Sequence, residues 1–499
     1  MKNVKRIIAA MIVMAIVAAS FSACKEPDYM PKPKPTQEAA GTTPDASSGE
    51  PTPIPIENPY RGDGSQYVYC MEDERDRERE EDIVFFADHL LDELHGHPKF
   101  ANINCLISTY NTIKYPDTER VNVYDEELRN EFIRRINMLI LSIPEKSDVD
   151  ILLGLNEAAA ILNDSNTVAN FVSGSPEVFL FKAMPIFTDS GYECYITSAA
   201  KEYEQCLMCR LDAINGVNIH EVIERMGGIF GHSSETELVH DQLGSRYSLV
   251  SMFMYRDCLS YLGIIEEGNT ATFTFTDGNG ETFDIEAEAM PFDGAMEHEI
   301  VRYSSGTEAE KSDIGTELIL SNADKDLWYE LLSDGKVLYM HIDYSYYTQQ
   351  VDNFLNEMKA AATVVADAKK IIIDCRTVNG ANIDAMPSLV RILNEIDAEK
   401  YVLIDEGSNS GAAILAAFVK RFVDGAEIVG SPSSGAASFF RTTGFELPNL
   451  GTRCWVTMSS GFDCWPGYEY EVLMPDTTVY QSVEDYLNGV DSLLKYLLD

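Results

Sequence analysis

Short, continuous apolar runs alternate with helical patterns from Lys336 to Gly430, and this rhythm restricts the fold more than any other feature of the sequence. Because the runs do not alternate with polar residues, both faces of each predicted strand should be buried, which is typical of parallel sheets covered by helices. Strand-helix-strand repetition therefore predicts an α/β core with a parallel sheet and right-handed crossovers. The predicted strands are 337–342, 370–374, 401–405 and 426–430, and the predicted helices are 349–368, 383–397 and one that follows Ser410.

Two polar segments follow strands of this predicted sheet. One is 374–381, and the other is the Gly-Ser-Asn-Ser-Gly turn at 407–411. Functional sites in such sheets lie beyond the carboxyl ends of the strands. A serine in a strand-turn-helix corner has free backbone N–H groups beside it, so its hydroxyl can act as a nucleophile and an oxyanion can be held nearby. The alternative interpretation is that Ser408 or Ser410 only caps the helix.

The first 65 residues predict export and anchoring rather than a folded domain. Residues 1–23 combine basic residues at the start with an apolar run, which is typical of a signal peptide. Phe21-Ser-Ala-Cys24 resembles the lipobox of bacterial lipoproteins, which implies that Cys24 is lipidated after cleavage. Residues 24–65 are rich in proline and predict an extended, disordered tether. We therefore expect a lipid-anchored protein at the extracytoplasmic face of the cell membrane.

Charge and cysteine content exclude several functions. The formal net charge is −43, so the surface should repel nucleic acid and anionic lipid headgroups, and contact with the membrane is expected through the lipid anchor only. Nine cysteines remain besides Cys24, an odd number, so at least one thiol cannot pair within the chain. The pair Cys206-x-x-Cys209 has no second pair at ligand spacing, and His95 and His97 do not share a helix face. We expect no metal and no other cofactor.

The remaining sequence predicts two further regions before the core. Residues 66–175 carry helical patterns at 83–94, 125–143 and 147–162, and the charged run at 72–82 is interpreted as a solvated face. Residues 176–330 alternate apolar and polar residues between turn signals, so they predict a β-rich domain. The Ile-Asn-Gly-Val segment within 211–219 resembles a PDZ-like module, which would bind an extended chain by strand addition. The core then occupies 331–499.

The core resembles the tail-specific, or carboxyl-terminal-processing, serine peptidase family. This resemblance implies a crotonase-like core beside a helical layer, often with a PDZ domain, and a substrate that is extended or unfolded polypeptide. It implies that Ser410 is the nucleophile and that backbone N–H groups near Gly380 and Ala381 form the oxyanion hole. The segments that carry the resemblance are Asp374-Cys-Arg-Thr-Val-Asn-Gly-Ala381, Glu406-Gly-Ser-Asn-Ser-Gly-Ala-Ala413, Gly430-Ser-Pro-Ser-Ser-Gly435, Phe445-Glu-Leu-Pro448, Met474-Pro-Asp476 and Asp485-Tyr-Leu-Asn-Gly-Val-Asp491.

The catalytic base of that family has no obvious counterpart here. Branches with a serine–lysine dyad have Lys where this chain has Ala436, and branches with histidine have it where this chain has Asn166. The Glu that often follows the nucleophile by three residues is Ala413. A serine hydroxyl is a weak nucleophile without a base. Two hypotheses follow: a serine peptidase with another base, for which His341 is the remaining candidate, or a pseudopeptidase that binds peptides at the cell surface without cleaving them.

Overall fold

The computed structural model describes most of the chain from Asp73 onward. The chain separates into Met1–Tyr69 and a second unit, Cys70–Asp499. Residues 1–72 lie outside the described residues, so the predicted signal peptide, Cys24 and the tether stay predictions. The description from residue 73 to 499 also omits 93–95, 101–103, 109–117, 123, 175, 189–190, 233, 244–250, 267, 296, 321, 323–324, 326, 343–347, 365–367, 377–385, 410, 436–438 and 464–471.

The N-terminal layer contains three long helices, and each begins at an acidic or hydroxyl residue that accepts hydrogen bonds from the first helical N–H groups. Asp73, Asp125 and Ser147 are these caps, and Ser147 forms a reciprocal capping box with Asp150. The helices predicted at 125–143 and 147–162 are confirmed, the second ending in a 3-10 turn. The elements are α1 (Glu74–Leu91), β1 (Asn104–Ser108), β2 (Thr118–Asn122), α2 (Glu126–Ser142), α3 (Asp148–Ala159) and β3 (Val168–Ala169).

Two details of this layer correct the sequence interpretation. The charged run at 72–82 is not simply a solvated face, because it supplies the first half of α1 and buries Glu80 and Asp82 completely. Asp82 accepts hydrogen bonds from the backbone N–H groups of Asn449 and Leu450, at 2.9 and 2.8 Å, which explains why a carboxylate is buried there. The layer is also not purely helical, because β1 and β2 pair as an antiparallel hairpin.

The middle region is β-rich, as predicted. Strands at its centre pair in the order β10-β9-β7-β6-β12, with β5 also beside β6 and β8 beside β7. Asn215 and Gly216, both with positive φ (49° and 76°), form the tight turn between β7 and β8 that precedes α4. The elements are β4 (Glu177–Val178), β5 (Phe181–Thr188), β6 (Gly191–Ala200), β7 (Arg210–Ile214), β8 (Val217–Asn218), α4 (Ile219–Gly227), α5 (Glu235–Leu243), α6 (Arg256–Tyr261), β9 (Thr270–Thr276), β10 (Thr282–Glu288), β11 (Met290–Pro291), α7 (Phe292–Ala295) and β12 (Ile300–Arg302).

The core is built on a six-stranded sheet in the order β13-β14-β15-β16-β17-β20. Its four predicted strands are present and parallel, and β13 adds an antiparallel edge. The remaining bounds are α8 (Glu317–Leu320), β13 (Leu327–Leu332), β14 (Val337–Ile342), α9 (Thr348–Val364), β15 (Lys370–Asp374), α10 (Met386–Glu395), β16 (Glu399–Ile404), α11 (Gly411–Phe422), β17 (Ala426–Gly430), β18 (Phe439–Glu446), β19 (Arg453–Asp463), β20 (Thr477–Thr478), α12 (Val483–Leu487) and α13 (Ser492–Leu498).

Both faces of this sheet are buried, which explains the continuous apolar runs. Alternate residues of each strand, such as Met340 and Ile373, pack with α9, α10 and α11 on one face. The residues between them, such as Tyr339 and Ile372, pack with α13 on the other face. The molecule is thus a mixed α/β protein whose central sheet is shielded by helices.

Strand pairing links the core to the N-terminal layer. The hairpin β18–β19 leaves the central sheet, and β19 pairs with β1 in parallel and with β3 in antiparallel orientation. Among the described residues, no helix is both long enough and apolar enough to cross a membrane.

Candidate functional site

The two polar segments that were predicted to form the site meet beyond the carboxyl ends of the parallel strands. Strands β15 and β16 are parallel neighbours, with Asp374 paired to Leu403, so their carboxyl ends lie side by side. Beyond those ends, Ser408 Oγ donates a hydrogen bond to the carbonyl oxygen of Cys375 at 3.0 Å. A methyl group at Gly407 would lie 2.5 Å from the carbonyl oxygen of Arg376, so only glycine lets the two segments approach this closely.

Of the two serines in the turn, Ser408 has a structural role. It is fully buried, and its Oγ also accepts a hydrogen bond from the backbone N–H of Asp405 at 3.1 Å. A hydroxyl with this burial and these two partners is poorly placed to attack a substrate. Ser410, the predicted nucleophile, lies outside the described residues, as do Gly380, Ala381 and Ala436. An oxyanion hole that serves Ser410 requires the 380–381 backbone to lie within about 10 Å of it, and this distance stays a prediction.

The Asp374-x-Arg376 part of the first segment forms a buried ion network. Arg376 donates its backbone N–H, its Nε and its Nη2 to the Asp374 carboxylate and contacts Asp491 Oδ2 at 2.7 Å. Tyr339 donates its hydroxyl to Asp374 at 2.5 Å. Burial alone would raise the pKa of Asp374, but Arg376, with help from Tyr339, lowers it to about 2. These charges join the end of β15 to the cap of α13, so they stabilise the edge that carries the site.

His341, the candidate base, lies within the sheet near the end of β14. It is 5% exposed, its ring centroid lies 6.0 Å from that of Trp328, and its strand pairs it with Asp374. By strand alternation it shares the face of Tyr339, whereas α11, the helix after Ser410, packs on the opposite face. This position is typical of an imidazole held within a core, and the role of base stays a prediction.

The turn containing Asn166 is organised by Asp164. The Asp164 carboxylate accepts hydrogen bonds from Thr167 Oγ1 and Thr457 Oγ1, both at 2.6 Å, and from the backbone and side-chain N–H groups of Asn166. It also lies 3.3 Å from Nε2 of buried His97. Asn166 itself is exposed and donates to Asp164, so its amide is a hydrogen-bond donor at the position where the family resemblance expects histidine.

The middle region contacts both this turn and the 430–435 segment of the core. A Cβ on Gly231 would lie 2.8 Å from the carbonyl oxygen of Asp164, so the two backbones touch. Ser234 Oγ donates to the carbonyl oxygen of Ser434 at 2.7 Å, and Ser165 Oγ donates to Glu237 Oε1 at 2.8 Å. Residues from three regions of the sequence therefore surround one place beside the end of the central sheet.

Sequence reasoning missed Glu237 and the His97–Asp164 pair. The Ser234-Glu-Thr-Glu237 segment matches the capping-box pattern, which signals the start of a helix. At the start of α5, Ser234 Oγ accepts the backbone N–H of Glu237. Nothing in that pattern indicates that the Glu237 carboxylate meets Ser165, 72 residues earlier in the chain.

The described residues offer no ready metal centre. No group of three or more His, Cys, Asp or Glu side chains among them is arranged to hold a metal ion. His89 stacks on Phe445 with ring centroids 4.0 Å apart. Cys206 and Cys209 are buried free thiols, and burial raises the pKa of Cys206 to about 12, which disfavours the thiolate that binds metals.

Comparison with solved structures relates the fold to that of a known protease. Mature CPAF, a Chlamydia serine protease, in complex with lactacystin superposes with a TM-score of 0.51 at 12% identity, covering 85% of this chain and 97% of CPAF. Mature CPAF alone gives a TM-score of 0.49 at 12% identity, covering 85% and 96%. The tricorn protease gives 0.34 at 13% identity, covering 77% and 37%.

Sequence comparison adds no closer assignment. No protein-family model matches the chain, and a search of curated proteins gives no match. The similarity to CPAF extends over 85% of this chain and 97% of CPAF. This chain therefore has a distant protease-like fold.

Proposed function

We propose that the protein is an exported, lipid-anchored serine-type peptidase that acts on extended or unfolded polypeptide, in the manner of tail-specific peptidases. The observation that carries this proposal is the meeting of the 374–376 and 405–409 segments beyond the ends of β15 and β16. That edge is where parallel α/β sheets carry their sites. The burial of Ser408 leaves Ser410 as the serine of this turn to act as nucleophile.

In the proposed reaction, Ser410 Oγ attacks the carbonyl carbon of the scissile peptide bond. Backbone N–H groups at Gly380 and Ala381 stabilise the negative charge that develops on the carbonyl oxygen. The central sheet is taken to be crotonase-like and the middle region PDZ-like, and the latter binds the extended chain by strand addition. The β-rich sheet and the tight turn before α4 support the second assignment.

A catalytically impaired pseudopeptidase is the second candidate. It is favoured by the side chain at position 166, where the family resemblance expects the catalytic histidine. Asn166 donates its amide N–H to Asp164 Oδ1 at 3.2 Å and cannot take a proton from a serine hydroxyl. Ala413, where that family often has Glu, belongs to α11 and is fully buried among apolar residues. Such a protein would keep the peptide-binding surface without turnover.

The deciding experiment combines a fluorophosphonate probe with cleavage of an unfolded polypeptide by the full chain. The peptidase proposal predicts labelling and cleavage by the wild type, both lost in Ser410→Ala and both kept in Ser312→Ala, which changes an exposed serine. Peptide binding without labelling or cleavage would establish the pseudopeptidase instead. Cleavage that survives Ser410→Ala would contradict both assignments.

A further inference from the structure

Cys206 and Cys209 occupy the two ends of a tight turn in the middle region. The backbone N–H of Cys209 donates to the carbonyl oxygen of Cys206 at 2.9 Å. Leu207 has φ −59° and ψ 128°, and Met208 has φ 57°, which matches a type II turn. Such a turn brings the Cα atoms of its first and fourth residues within about 7 Å, and disulfides join Cα atoms about 4.4–6.8 Å apart. The backbone of the turn is thus compatible with a disulfide between its ends.

The Cys209 thiol is directed towards the start of the turn. Its Sγ donates to the carbonyl oxygen of Gln205 at 3.5 Å, and the carbon of that carbonyl is bonded to the backbone nitrogen of Cys206. Burial raises the pKa of Cys206, and the nearby Cys209 thiol adds to this effect. Cys206 is 0% exposed and Cys209 is 5% exposed, so the protein encloses both thiols in the same place.

The surrounding sheet imposes the shape of this turn. The backbone N–H of Met208 donates to the carbonyl oxygen of Ile196 in β6 at 2.7 Å, and the Ile196 N–H donates to the carbonyl oxygen of Cys209 at 3.1 Å. Met208 stands where a type II turn normally has glycine or asparagine, because the position requires a positive φ. A conformation that its own residues do not favour persists only when its surroundings determine it. A covalent bond between the ends of the turn would hold the same shape.

We propose that Cys206 and Cys209 form a disulfide when the chain folds in an oxidising compartment, as the predicted export would require. The pair is then a modification site, and its reaction partner is a disulfide compound. The structure describes the reduced form, in which both residues are free thiols. Disulfides form and persist in extracytoplasmic proteins. A disulfide carries no charge, so the burial that opposes a thiolate at this site does not oppose the bridge.

Electrons and protons balance in this exchange. Cys209, the more exposed of the two, loses its proton, and its thiolate attacks one sulfur of the disulfide compound while the other sulfur leaves as a thiolate. Cys206 then loses its proton and attacks the Cys209 sulfur of the mixed disulfide, and the second thiolate leaves. The two cysteines together give up two electrons and two protons, and the disulfide compound is reduced to two thiols.

The other cysteines of the described part of the chain lie on separate elements. Cys194 is in β6, Cys258 in α6 and Cys454 in β19, and Cys375 directly follows β15. None of these four shares a turn with another described cysteine. Cys258 is as completely buried as Cys206, so it provides a matched control.

The test refolds the reduced full-length chain in a mixture of reduced and oxidised glutathione. The remaining thiols are blocked with N-ethylmaleimide under denaturing conditions, and the chain is digested with trypsin. Cleavage after Lys201 and Arg210 releases peptide 202–210, which contains Cys206 and Cys209 and no other cysteine. We expect this peptide to be two hydrogen atoms lighter than its reduced form and to carry no blocking reagent. Blocking reagent on both cysteines, or a bridge from either one to another peptide, would overturn the proposal.

Urea unfolding provides a second measurement. The midpoint of the refolded wild type should fall when reductant is added, because the bridge no longer restricts the unfolded chain. Cys206→Ala should abolish this difference, whereas Cys258→Ala should keep it. A difference that persists undiminished in Cys206→Ala would assign it to other cysteines and contradict the proposal. Neither measurement depends on cleavage of a polypeptide, so this proposal and the peptidase proposal fail separately.

Discussion

At the scale of single residues, the pair His97–Asp164 links the protonation of the protein to its stability. His97 Nδ1 accepts the backbone N–H of Lys99 at 3.2 Å, so its Nε2 carries the hydrogen that faces Asp164. Burial lowers the pKa of His97, although Asp164 opposes this effect. Burial would raise the pKa of Asp164, but His97, Thr167 and Thr457 lower it below its ordinary value. A neutral imidazole therefore donates to a charged carboxylate at this site.

The free energy of unfolding should fall as the pH drops below about 6.5, the ordinary pKa of histidine. In that range His97 binds a proton in the unfolded state but stays neutral in the folded state, so protonation favours unfolding. The contribution of Asp164 is lost only at lower pH, below about 4. Between these two pH values, the free energy of unfolding measured with urea should depend less steeply on pH in His97→Gln than in the wild type. An unchanged slope, or equal flattening in the exposed control His298→Gln, would contradict this prediction.

At the scale of elements, the turn after β16 depends on Gly407. A Cβ at this position would lie 2.5 Å from the carbonyl oxygen of Arg376 and 3.0 Å from Asp405 Oδ1, so the two segments would have to separate. Gly407→Ala should therefore lower the free energy of unfolding by about 1–3 kcal/mol, the usual cost of overpacking. The control is Gly278→Ala in the turn between β9 and β10, where a Cβ meets nothing within 4 Å. Equal urea midpoints for the two variants would show that the 374–376 and 405–409 segments do not need this close approach.

At the scale of the whole molecule, the proposed function requires the folded body to be tethered outside the cell. Cys24 in its lipobox-like setting is predicted to carry the lipid, and the proline-rich tether to follow it. Cys24→Ala should release the protein from the membrane fraction into the soluble fraction, whereas Cys70→Ala should leave it attached. Mass spectrometry of the N-terminal peptide measures the lipid directly. Recovery of the wild type without detergent, and without lipid mass on that peptide, would rule the anchor out.

The sequence alone determined the elements whose signals are local. Continuous apolar runs predicted the four parallel strands of the core, because a strand that is buried on both faces carries apolar side chains at successive positions. The helices predicted to start at residues 125 and 147 do start there, and the structure shows that Asp125 and Ser147 cap them; a cap and the N–H groups that it satisfies lie within a few residues. The turn that contains Ser408 and Ser410 was also predicted from local sequence, but the local sequence did not reveal that Ser408 is buried.

Tertiary structure decided everything that depends on contacts between distant segments. The buried carboxylate of Asp82 finds its partners in the backbone of Asn449 and Leu450, more than 360 residues later, so the charged run around it resembled a solvated face. The hairpin of β1 and β2 was missed because it is completed by pairing with β19. Glu237 reached the candidate site only because α5 docks against Ser165 and Gly435. A residue's burial and hydrogen bonds are set by whatever the folded chain brings against it, and no local pattern records that partner.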